Sequence, residues 1–278
     1  MTVLEVLQST AAYFKKREVE SPRLNAEHLL AHVLNRKRIE LYLEFERVLT
    51  EEELAPLREL VRRRGQGEPL QHLLGTVEFC GRVFLCDRRA LVPRPETEQL
   101  VDLLASRVSD PASRILDVGT GSGVIALSLA AQFPEATVTA TDISDDALAL
   151  ARENADRLGL TNRVEFLTGD LLLYVNHVYD LIVANLPYVA VVDRAALSRE
   201  VLHDPEVALF GGERGDEMVR KLIEAAPSRL KSGGLLALEI GLGQADDLAA
   251  LMAEKNYHDI AQIRDYGGVI RFLFGRYG

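Results

Sequence analysis

The stretch Asp117-Val118-Gly119-Thr120-Gly121-Ser122-Gly123 decides the fold of this chain. The residues from Ile115 to Val118 are mostly apolar and predict a short buried strand, and an apolar helical pattern starts at about residue 123. Glycines let the backbone between them turn tightly and pass close to a ligand, while the first N–H groups of the helix face whatever binds there. A strand, a glycine turn and a helix in this order predict a ligand-binding loop in an α/β sheet.

Downstream of this loop, strands and helices alternate, which is typical of a doubly wound, Rossmann-like parallel sheet. Further strands are predicted at 137–141, 164–167, 180–184 and 235–240, and further helices from about 144, at 214–230 and at 244–255. The end of the chain departs from this alternation, because residues 258–264 and 269–274 flank a Tyr266-Gly267-Gly268 turn. These two segments predict an antiparallel C-terminal hairpin at one edge of the sheet.

The first ~70 residues show helical periodicity only, and they predict a small N-terminal helical bundle. Ser21-Pro22 and Thr50 followed by three glutamates are typical of helix N-termini, with a capping residue and an acidic first turn. Gly65-Gln66-Gly67-Glu68-Pro69 ends this pattern, and residues 77–85 predict two short strands around a glycine turn. We therefore divide the chain into a helical domain at 1–73, a β-hairpin linker at 74–90 and a catalytic domain at 91–278.

Charge separates the two halves of the chain, which has a formal net charge of −10 over 278 residues. Residues 1–89 carry 15 Lys and Arg against 14 Asp and Glu, so the remaining residues carry 17 against 28. An acidic catalytic half argues against a protein that grips duplex phosphates across a broad face. The basic triplet Arg62-Arg63-Arg64 is more typical of a solvated helix end than of a nucleic-acid site.

Cysteine and histidine usage excludes several classes of site. Cys80 and Cys86 are too few for a disulfide framework or a zinc cluster, which fits a reducing compartment. His28 and His32 have metal-ligand spacing on one predicted helix face, but no third ligand is near, so we predict no metal site. Since no apolar run reaches ~18 residues and the N-terminus lacks a signal-peptide pattern, we expect a cytoplasmic protein without a membrane span.

Three carboxylates near predicted strand ends indicate what the glycine loop binds. Asp142 can accept hydrogen bonds from both ribose hydroxyls of an adenosine, which fits NAD as well as other adenosyl ligands. Asp117 would attract the ammonium of a bound amino acid and repel a pyrophosphate. Asp170 can lie by the adenine amine and Leu171 on the ring. Gly121-x-Gly123-x-x-Ala126 also matches a dinucleotide fingerprint, so both ligand classes stay open here.

A second candidate site follows the predicted strand at 180–184. The strand ends in Asn185-Leu186-Pro187-Tyr188, and Pro187 prevents it from continuing. Asn185 offers a side-chain acceptor, Leu186 a backbone carbonyl and Tyr188 a flat ring, so together they can grip a planar group that bears an N–H₂. An ordinary strand-ending turn also favours asparagine and proline, and these four residues alone do not exclude it.

These features resemble the class I S-adenosylmethionine-dependent methyltransferases, and Asn185-Leu186-Pro187-Tyr188 is similar to the Asn-Pro-Pro-Tyr motif of those that act on planar nitrogens. Further stretches along nearly the whole chain resemble the protein-(glutamine-N5) methyltransferases of the HemK/PrmC family. They are Ser21-Pro22-Arg23-Leu24-Asn25-Ala26-Glu27, Glu78-Phe79-x-Gly81-x-x-Phe84, Val92-Pro93-Arg94-Pro95-Glu96-Thr97-Glu98 and Pro205-Glu206-x-Ala208-Leu209-x-Gly211-Gly212.

The resemblance implies that this chain methylates the glutamine of the Gly-Gly-Gln motif in peptide chain release factors, with S-adenosylmethionine as donor and S-adenosylhomocysteine as product. It implies that the helical domain recognises the substrate and that Arg94, stiffened by two prolines, is a further substrate-binding residue. We expect a monomer whose partners are release factors, without sequence-specific nucleic-acid binding. The implied cofactor residues are Asp117, Gly119, Thr120, Gly121, Ser122, Gly123, Asp142, Asp170, Leu171 and Asn185, and the implied catalytic and substrate-binding residues are Asn185, Leu186, Pro187 and Tyr188.

Two departures from the family pattern and four alternatives remain. Leu186 stands where the family usually has proline, and Asn25 stands where aspartate is common.

A ribosomal-protein glutamine methyltransferase is the nearest alternative, and the Pro-Glu-Thr-Glu run at 95–98 argues against it. A DNA adenine methyltransferase would need a basic recognition domain. An NAD-dependent dehydrogenase is opposed by Asp117 and the terminal hairpin, and only Leu186 supports a non-catalytic binding module.

Overall fold

The computed structural model describes residues 1–108 and 110–278, which form two compact units. The smaller unit contains Met1–Thr76 together with Ser198–His203, and the larger unit contains Val77–Leu197 and Asp204–Gly278. The six residues at 198–203 therefore belong with a unit that is distant in sequence. No local pattern in the sequence predicts this assignment.

The smaller unit is a helical bundle, as the sequence predicts. Its apolar core includes Val3, Leu7 and Phe14, which lie at helical spacing along the first helix, and Leu29 and Leu57 from two other helices. The helices are α1 (Val3–Lys16), α2 (Pro22–Val33), α3 (Glu51–Arg64) and α4 (Leu70–Leu74), with 3-10 helices at Arg38–Leu43 and Val201–His203.

The starts of these helices follow the sequence signals in one case and depart from them in another. At α3, Thr50 Oγ1 accepts from Glu53 N and Glu53 accepts from Thr50 N, which is a complete capping box. At α2, Ser21 has φ 44° and its side chain makes no capping hydrogen bond, and the first turn contains no acidic residue. The prediction of a capping serine and an acidic first turn there is therefore wrong, although the helix does begin at Pro22.

The three arginines at 62–64 form ion pairs and hydrogen bonds within the smaller unit. Arg62 pairs with Glu59 and Arg63 with Glu68. Arg64 is buried, and its guanidinium donates to Asn25 Oδ1 at 2.7 Å and to Glu200 Oε2 at 2.7 Å. Asn25 therefore accepts from a buried arginine that joins α2, α3 and the segment Ser198–His203, so its side chain has a structural role within the smaller unit.

The larger unit contains the alternating strands and helices. Its helices are α5 (Pro95–Ala105), α6 (Val124–Gln132), α7 (Asp145–Arg157), α8 (Glu206–Leu209), α9 (Glu217–Ala225) and α10 (Ala245–Glu254), with 3-10 helices at Val191–Ala196 and Ala226–Ser228. Its strands are β1 (Thr76–Phe79, whose first residue belongs to the smaller unit), β2 (Arg82–Leu85), β3 (Arg114–Val118), β4 (Thr137–Asp142), β5 (Val164–Thr168), β6 (Tyr179–Asn185), β7 (Val189–Ala190), β8 (Phe210–Gly212), β9 (Leu230–Glu239), β10 (Tyr257–Arg264) and β11 (Ile270–Tyr277).

Seven of the strands form one sheet in the order β10-β11-β9-β6-β3-β4-β5. The pairs from β9 to β5 are parallel, and β11 is antiparallel to both of its neighbours. This confirms the predicted doubly wound sheet and the C-terminal hairpin. It refines the prediction in one respect, because the antiparallel strand β11 lies between β9 and β10 and is not itself the edge.

Both faces of the sheet are covered. Successive residues of a strand point to opposite faces, so Ile115 and Leu181 pack on one side while Leu116 and Ile182 pack on the other. The first side includes Leu100 of α5, and the second includes Leu222 of α9. Parallel strands buried on both faces account for the nearly continuous apolar runs in the sequence.

The hairpin of β1 and β2 contributes to the core of the larger unit. Phe79 and Phe84 are fully buried and meet edge to face, with ring centroids 6.0 Å apart. The buried Asn154 of α7 accepts from Leu85 N at 2.6 Å and donates to Leu85 O, and it also donates to Ser122 O at 2.9 Å. The segment that the sequence assigns to a linker thus packs against the sheet and is tied to the glycine loop.

Candidate active site

A cavity opens beside the carboxyl ends of four adjacent parallel strands, β5, β4, β3 and β6, which is where open α/β sheets bind ligands. Each strand brings a sequence-predicted residue or its neighbour to the cavity. These lining residues are Val118, Gly119, Thr120, Gly121 and Ser122 after β3, Asp142 at the end of β4, Gly169, Asp170 and Leu171 after β5, and Asn185, Leu186 and Pro187 at the end of β6. The remaining wall includes Arg89, Ala90, Leu91, Pro93, Arg94, Thr97, Pro205, Val207, Ala208, Phe210 and Met218.

The glycine loop is held in shape by its own backbone. Gly119 N and Thr120 N both donate to Thr141 O, at 2.8 and 2.9 Å, which ties the loop to β4. Gly119 and Gly121 have φ of 73° and 56°, a left-handed conformation that side-chain-bearing residues rarely adopt. Gly123 serves packing, because a Cβ there would lie 3.1 Å from Ala151 Cβ. At Gly119 and Gly121 the loop therefore offers the cavity backbone without a side chain.

Asp117 lies beneath the loop and does not line the cavity. Its side chain is fully buried, and its Oδ2 accepts from Thr120 Oγ1 at 2.6 Å and from Ala126 N at 3.1 Å. Its Oδ1 has no hydrogen-bond partner among the described residues. Burial raises the pKa of Asp117 to about 7. The carboxyl thus joins the loop to the start of α6, and direct contact with a bound ammonium stays a prediction that this geometry does not favour.

Asp142 and the residues after β5 face the cavity as the sequence predicts. The Asp142 carboxylate is oriented by two backbone donors, Gly121 N at 2.8 Å and Ser144 N at 2.9 Å. Burial raises the pKa of Asp142, and the backbone hydrogen bonds oppose that shift. Asp170 is exposed at the opening, and Leu171 has φ 52°. Since each oxygen of Asp142 keeps a lone pair, the carboxylate can still accept from ligand hydroxyls.

At the end of β6, the Asn185 side chain has a defined direction. Its Nδ2 donates to Thr97 Oγ1 at 3.1 Å, and its Oδ1 has no intramolecular partner among residues 1–108 and 110–278. Leu186 is buried and packs with the apolar core around β6 and β9. The structure therefore brings a side-chain acceptor and the turn that carries the Leu186 carbonyl to the wall of the cavity.

Tyr188 is half-buried and supports the turn from behind the cavity wall. Its hydroxyl donates to Glu239 Oε1 at 3.4 Å, and its carbonyl accepts from Gln244 Nε2 at 3.1 Å. Arg271 lies over its ring, 6.0 Å from the centroid. Burial and the neighbouring Glu239 raise the pKa of Tyr188 to about 12, so the phenol stays protonated. Stacking of this ring on a substrate amide stays a prediction.

Arg94 lines the cavity and is at the same time half of an ion pair. Its guanidinium donates to Asp204 Oδ2 at 2.6 Å, and the buried Asp204 carboxylate also accepts from Val92 N at 3.0 Å. The ion pair directs the arginine to one place on the wall. A direct role for Arg94 in substrate binding stays a prediction beside this observed structural one.

Two polar residues of the site, Thr97 and Glu239, are missed by reasoning from the sequence. Glu239 is the last residue of β9 and is 1% exposed, and Thr97 Oγ1 donates to its Oε2 at 2.8 Å. One signal is available, because Glu239 ends an apolar strand in the same way that Asn185 ends β6. Adjacent parallel strands bring their carboxyl ends together, and the register pairs Asn185 with Glu239.

Metal clusters and membrane spans are absent from the part of the chain that is described. Residues 1–108 and 110–278 contain no group of three or more histidine, cysteine, aspartate or glutamate side chains that could hold a metal ion. Over the same residues, no helix has the length and apolar character needed to cross a membrane.

Comparisons with known proteins place this geometry in context. Residues 5–75 match the family model of the PrmC N-terminal domain, and residues 95–213 match that of the methyltransferase small domain. The chain is 40% identical to the release factor glutamine methyltransferase of Chlorobaculum tepidum, over 98% of this chain and 96% of the relative. It is also 40% identical to that of Geobacter sulfurreducens, over 100% of this chain and 97% of the relative.

The fold also matches that of solved methyltransferases. The crystal structure of ribosomal protein L11 methylase from Lactobacillus delbrueckii subsp. bulgaricus is 26% identical to this chain, with a TM-score of 0.51, and the match covers 66% of this chain and 81% of that one. Together with the strand order, this likeness confirms the predicted class I methyltransferase fold.

Proposed function

This chain belongs to the family of release factor glutamine methyltransferases, and from that premise we propose that it transfers a methyl group from S-adenosylmethionine to the side-chain nitrogen of a glutamine in a peptide chain release factor. The observation that carries the proposal is the placement of Asn185 Oδ1. This acceptor is unpaired within the described residues, belongs to a side chain of the cavity wall and lies on the strand next to the one that carries the glycine loop.

The residues present fit S-adenosylmethionine. Gly119 and Gly121 line the cavity in left-handed conformations without side chains, so a ligand can approach their backbone closely. We assign Asp142 to the ribose hydroxyls and Asp170 and Leu171 to the adenine amine and ring, and all three residues line the cavity. When bound, this cofactor supplies a methyl group that its sulfonium has already activated.

The chain must make an amide nitrogen nucleophilic. The lone pair of a glutamine side-chain nitrogen is delocalised into its carbonyl, as in a peptide bond. Asn185 Oδ1 and the Leu186 carbonyl would accept the two amide N–H bonds, turn the lone pair toward the methyl group and stabilise positive charge as it forms on nitrogen. Holding the two reacting atoms in line is worth up to about 7–11 kcal/mol.

No strong base is needed before the methyl transfer, because the nitrogen becomes acidic only once it carries the methyl group and can then release its extra proton to water. Pro187 prevents β6 from continuing and fixes the turn, and Leu186 adds the packing of a buried side chain. The family's usual proline at position 186 would contribute shape, whereas the accepting carbonyl comes from the main chain and is present here as well.

The smaller helical unit is the proposed platform for the release factor, and Arg94 is a proposed substrate contact within the larger unit. The chain is proposed to act as a monomer in the cytoplasm, where release factors work. The excess of acidic residues after residue 89 supports a protein substrate over a broad nucleic-acid surface.

One assay tests the reaction and its substrate. S-adenosylmethionine with a labelled methyl group is incubated with the protein and one of four acceptors: a release factor, the same factor with the Gly-Gly-Gln glutamine replaced by alanine, ribosomal proteins, or duplex DNA. We expect label on the unaltered release factor only. Label on the altered factor, on ribosomal proteins or on DNA would contradict the proposed substrate, and no label on any acceptor would contradict the proposed activity.

A further inference from the structure

A buried carboxylate lies behind the proposed amide-binding residue and has no part in the mechanism described so far. Glu239 ends β9 directly beside Asn185, which ends β6, and the two residues are partners in the sheet register. Thr97, in the first turn of α5, lies between their side chains. Its Oγ1 is 2.8 Å from Glu239 Oε2 and 3.1 Å from Asn185 Nδ2.

The chemistry of these groups sets a direction along the chain of hydrogen bonds. An ionised carboxylate can only accept, so Thr97 must use its single hydroxyl proton to donate to Glu239. The lone pairs that remain on Thr97 Oγ1 can only accept, and the Asn185 amide must therefore present its NH₂ group to them. The carbonyl end of the same amide then faces away from Thr97.

The same carboxylate also holds the other side of the turn. The Tyr188 hydroxyl donates to Glu239 Oε1 at 3.4 Å. Glu239 therefore contacts one end of the turn directly, at Tyr188, and the other end through Thr97, which contacts Asn185. Burial raises the pKa of Glu239 to about 7, and the neighbouring Glu96 adds to this shift, whereas the hydrogen bond from Thr97 and the charge of Arg271 oppose it. Above that pH the carboxylate is ionised and the direction of the chain is fixed.

We propose that Thr97 and Glu239 are positioning residues that lock the Asn185 amide with its oxygen toward the cavity, and that they thereby select a substrate group that carries N–H donors over one that carries a carboxylate. The proposal rests on the proposed function, because the selected group is the glutamine side chain. A reversed amide would present an NH₂ group, which would repel a glutamine N–H₂ and attract a glutamate oxygen.

A merely structural link between α5 and β9 predicts a different behaviour. Loss of such a link would lower stability and turnover without changing which side chain the site prefers. The preference for glutamine over glutamate, measured together with the separate effects on kcat and KM, therefore distinguishes a positioning role from a purely structural one. Thr139 provides a matched control, since it is a buried threonine of the same sheet, near Glu165, and does not line the cavity.

The test compares wild type, Thr97→Val, Thr97→Ser and Thr139→Val at pH 8. It measures kcat and KM with a release factor and the dissociation constant of S-adenosylmethionine. It also measures inhibition by the same factor in which glutamate replaces the glutamine of the Gly-Gly-Gln motif. For Thr97→Val we expect kcat to fall by about 10- to 100-fold, less than when the accepting group itself is removed, with cofactor affinity unchanged. We also expect the glutamate factor to inhibit Thr97→Val several-fold more strongly than wild type, and Thr97→Ser and Thr139→Val to resemble wild type.

The proposal is wrong if Thr97→Val keeps the wild-type preference against glutamate, or if Thr97→Ser is as impaired as Thr97→Val. Thr97→Ala provides the same comparison if valine does not allow folding.

A readout without turnover keeps this result separate from the proposed function. The ¹⁵N side-chain signal of Asn185, identified by its loss in Asn185→Ala, should show an amide proton that exchanges slowly in wild type and quickly in Thr97→Val. If wild type labels no release factor but this protection is present, the proposed function fails and the locked amide stands. If the protection is absent from wild type, the positioning role fails whatever the activity.

Discussion

Leu186 packs directly against Gly119, so closely that a Cβ atom on Gly119 would lie 2.8 Å from Leu186 Cδ2. Gly119 belongs to the loop proposed to hold the cofactor, and Leu186 belongs to the turn proposed to hold the substrate amide. The two halves of the site therefore pack against each other, and a side chain added at Gly119 would displace Leu186.

Gly119→Ala should impair both halves of the site. The substitution places a side chain in a left-handed backbone, which costs about 1–2 kcal/mol, and it also pushes Leu186 out of position. Gly159→Ala is the matched control, because Gly159 has φ 70° but open space where a Cβ atom would lie. We expect a larger loss of unfolding free energy and a weaker S-adenosylmethionine affinity for Gly119→Ala, measured by denaturant titration and calorimetry. Equal effects of the two variants would show that the contact with Leu186 is unimportant.

Asn185→Ala should abolish most turnover while leaving the fold intact. The substitution removes an acceptor that stabilises charge formed in the transition state, and loss of one such group typically lowers kcat by about 10²–10³-fold. Asn162→Ala, at an exposed position, is the control. Turnover is measured with a release factor, and cofactor affinity by calorimetry. A variant that binds S-adenosylmethionine normally and turns over at the wild-type rate would rule out the assigned role.

Leu186→Pro should keep activity or improve it. The accepting carbonyl remains, and Asn185 before it is the last residue of a strand, an extended conformation that proline favours in the preceding residue. Leu186→Ala keeps the same carbonyl but leaves a cavity in the core, which should cost about 2–5 kcal/mol of stability. Steady-state kinetics and denaturant unfolding of the two variants separate the effect of backbone shape and packing at residue 186 from that of its accepting carbonyl. Complete loss of turnover in a folded Leu186→Pro protein would mean that the leucine side chain itself contributes to catalysis.

Glu239 should make stability depend on pH. Burial raises its pKa from 4.5 to about 7, so between these values the folded protein holds a proton that the unfolded chain has released. The stability from that proton is present below about pH 4.5 and is lost as the pH rises through about 7. Between pH 5 and pH 8, wild type should therefore lose roughly 2–3 kcal/mol of unfolding free energy relative to Glu239→Gln. Urea titrations at both pH values measure this difference, and parallel pH dependence of the two proteins would contradict the shifted pKa.

Turnover should depend on the same ionisation with the opposite sign. The ionised Glu239 accepts from Thr97 and fixes the Asn185 amide, so kcat of wild type should rise as the pH increases through about 7. Glu239→Gln lacks the titrating group, and its profile should lose that rise. The control is cofactor affinity at each pH, which shows whether the rise in kcat comes from a titration that affects S-adenosylmethionine binding. If the kcat profile of Glu239→Gln kept the same inflection, another group would be responsible for it. Asp117, whose pKa is also raised to about 7, would be the first to test.

Much of the fold follows from local patterns in the sequence. The glycine loop is predictable because strand, glycine turn and apolar helix are adjacent in the chain, and the turn at Asn185 is predictable because Pro187 must end a strand. Two strands around a glycine turn predict the C-terminal hairpin. The insertion of β11 between β9 and β10 is not predictable in this way, because strand order depends on how the whole sheet is covered and not on any one segment.

The candidate site divides in the same way. The sequence by itself determined which residues stand at the ends of β3, β4 and β6, since strand periodicity and the turn residues after each strand are local properties. Only the tertiary structure decided that Asp117 supports the loop from beneath and that Thr97 meets Glu239, 142 residues away in the chain. Hydrogen bonds between distant segments exist only after the sheet has assembled, because its register places Glu239 beside Asn185 and the packing of α5 brings Thr97 between them.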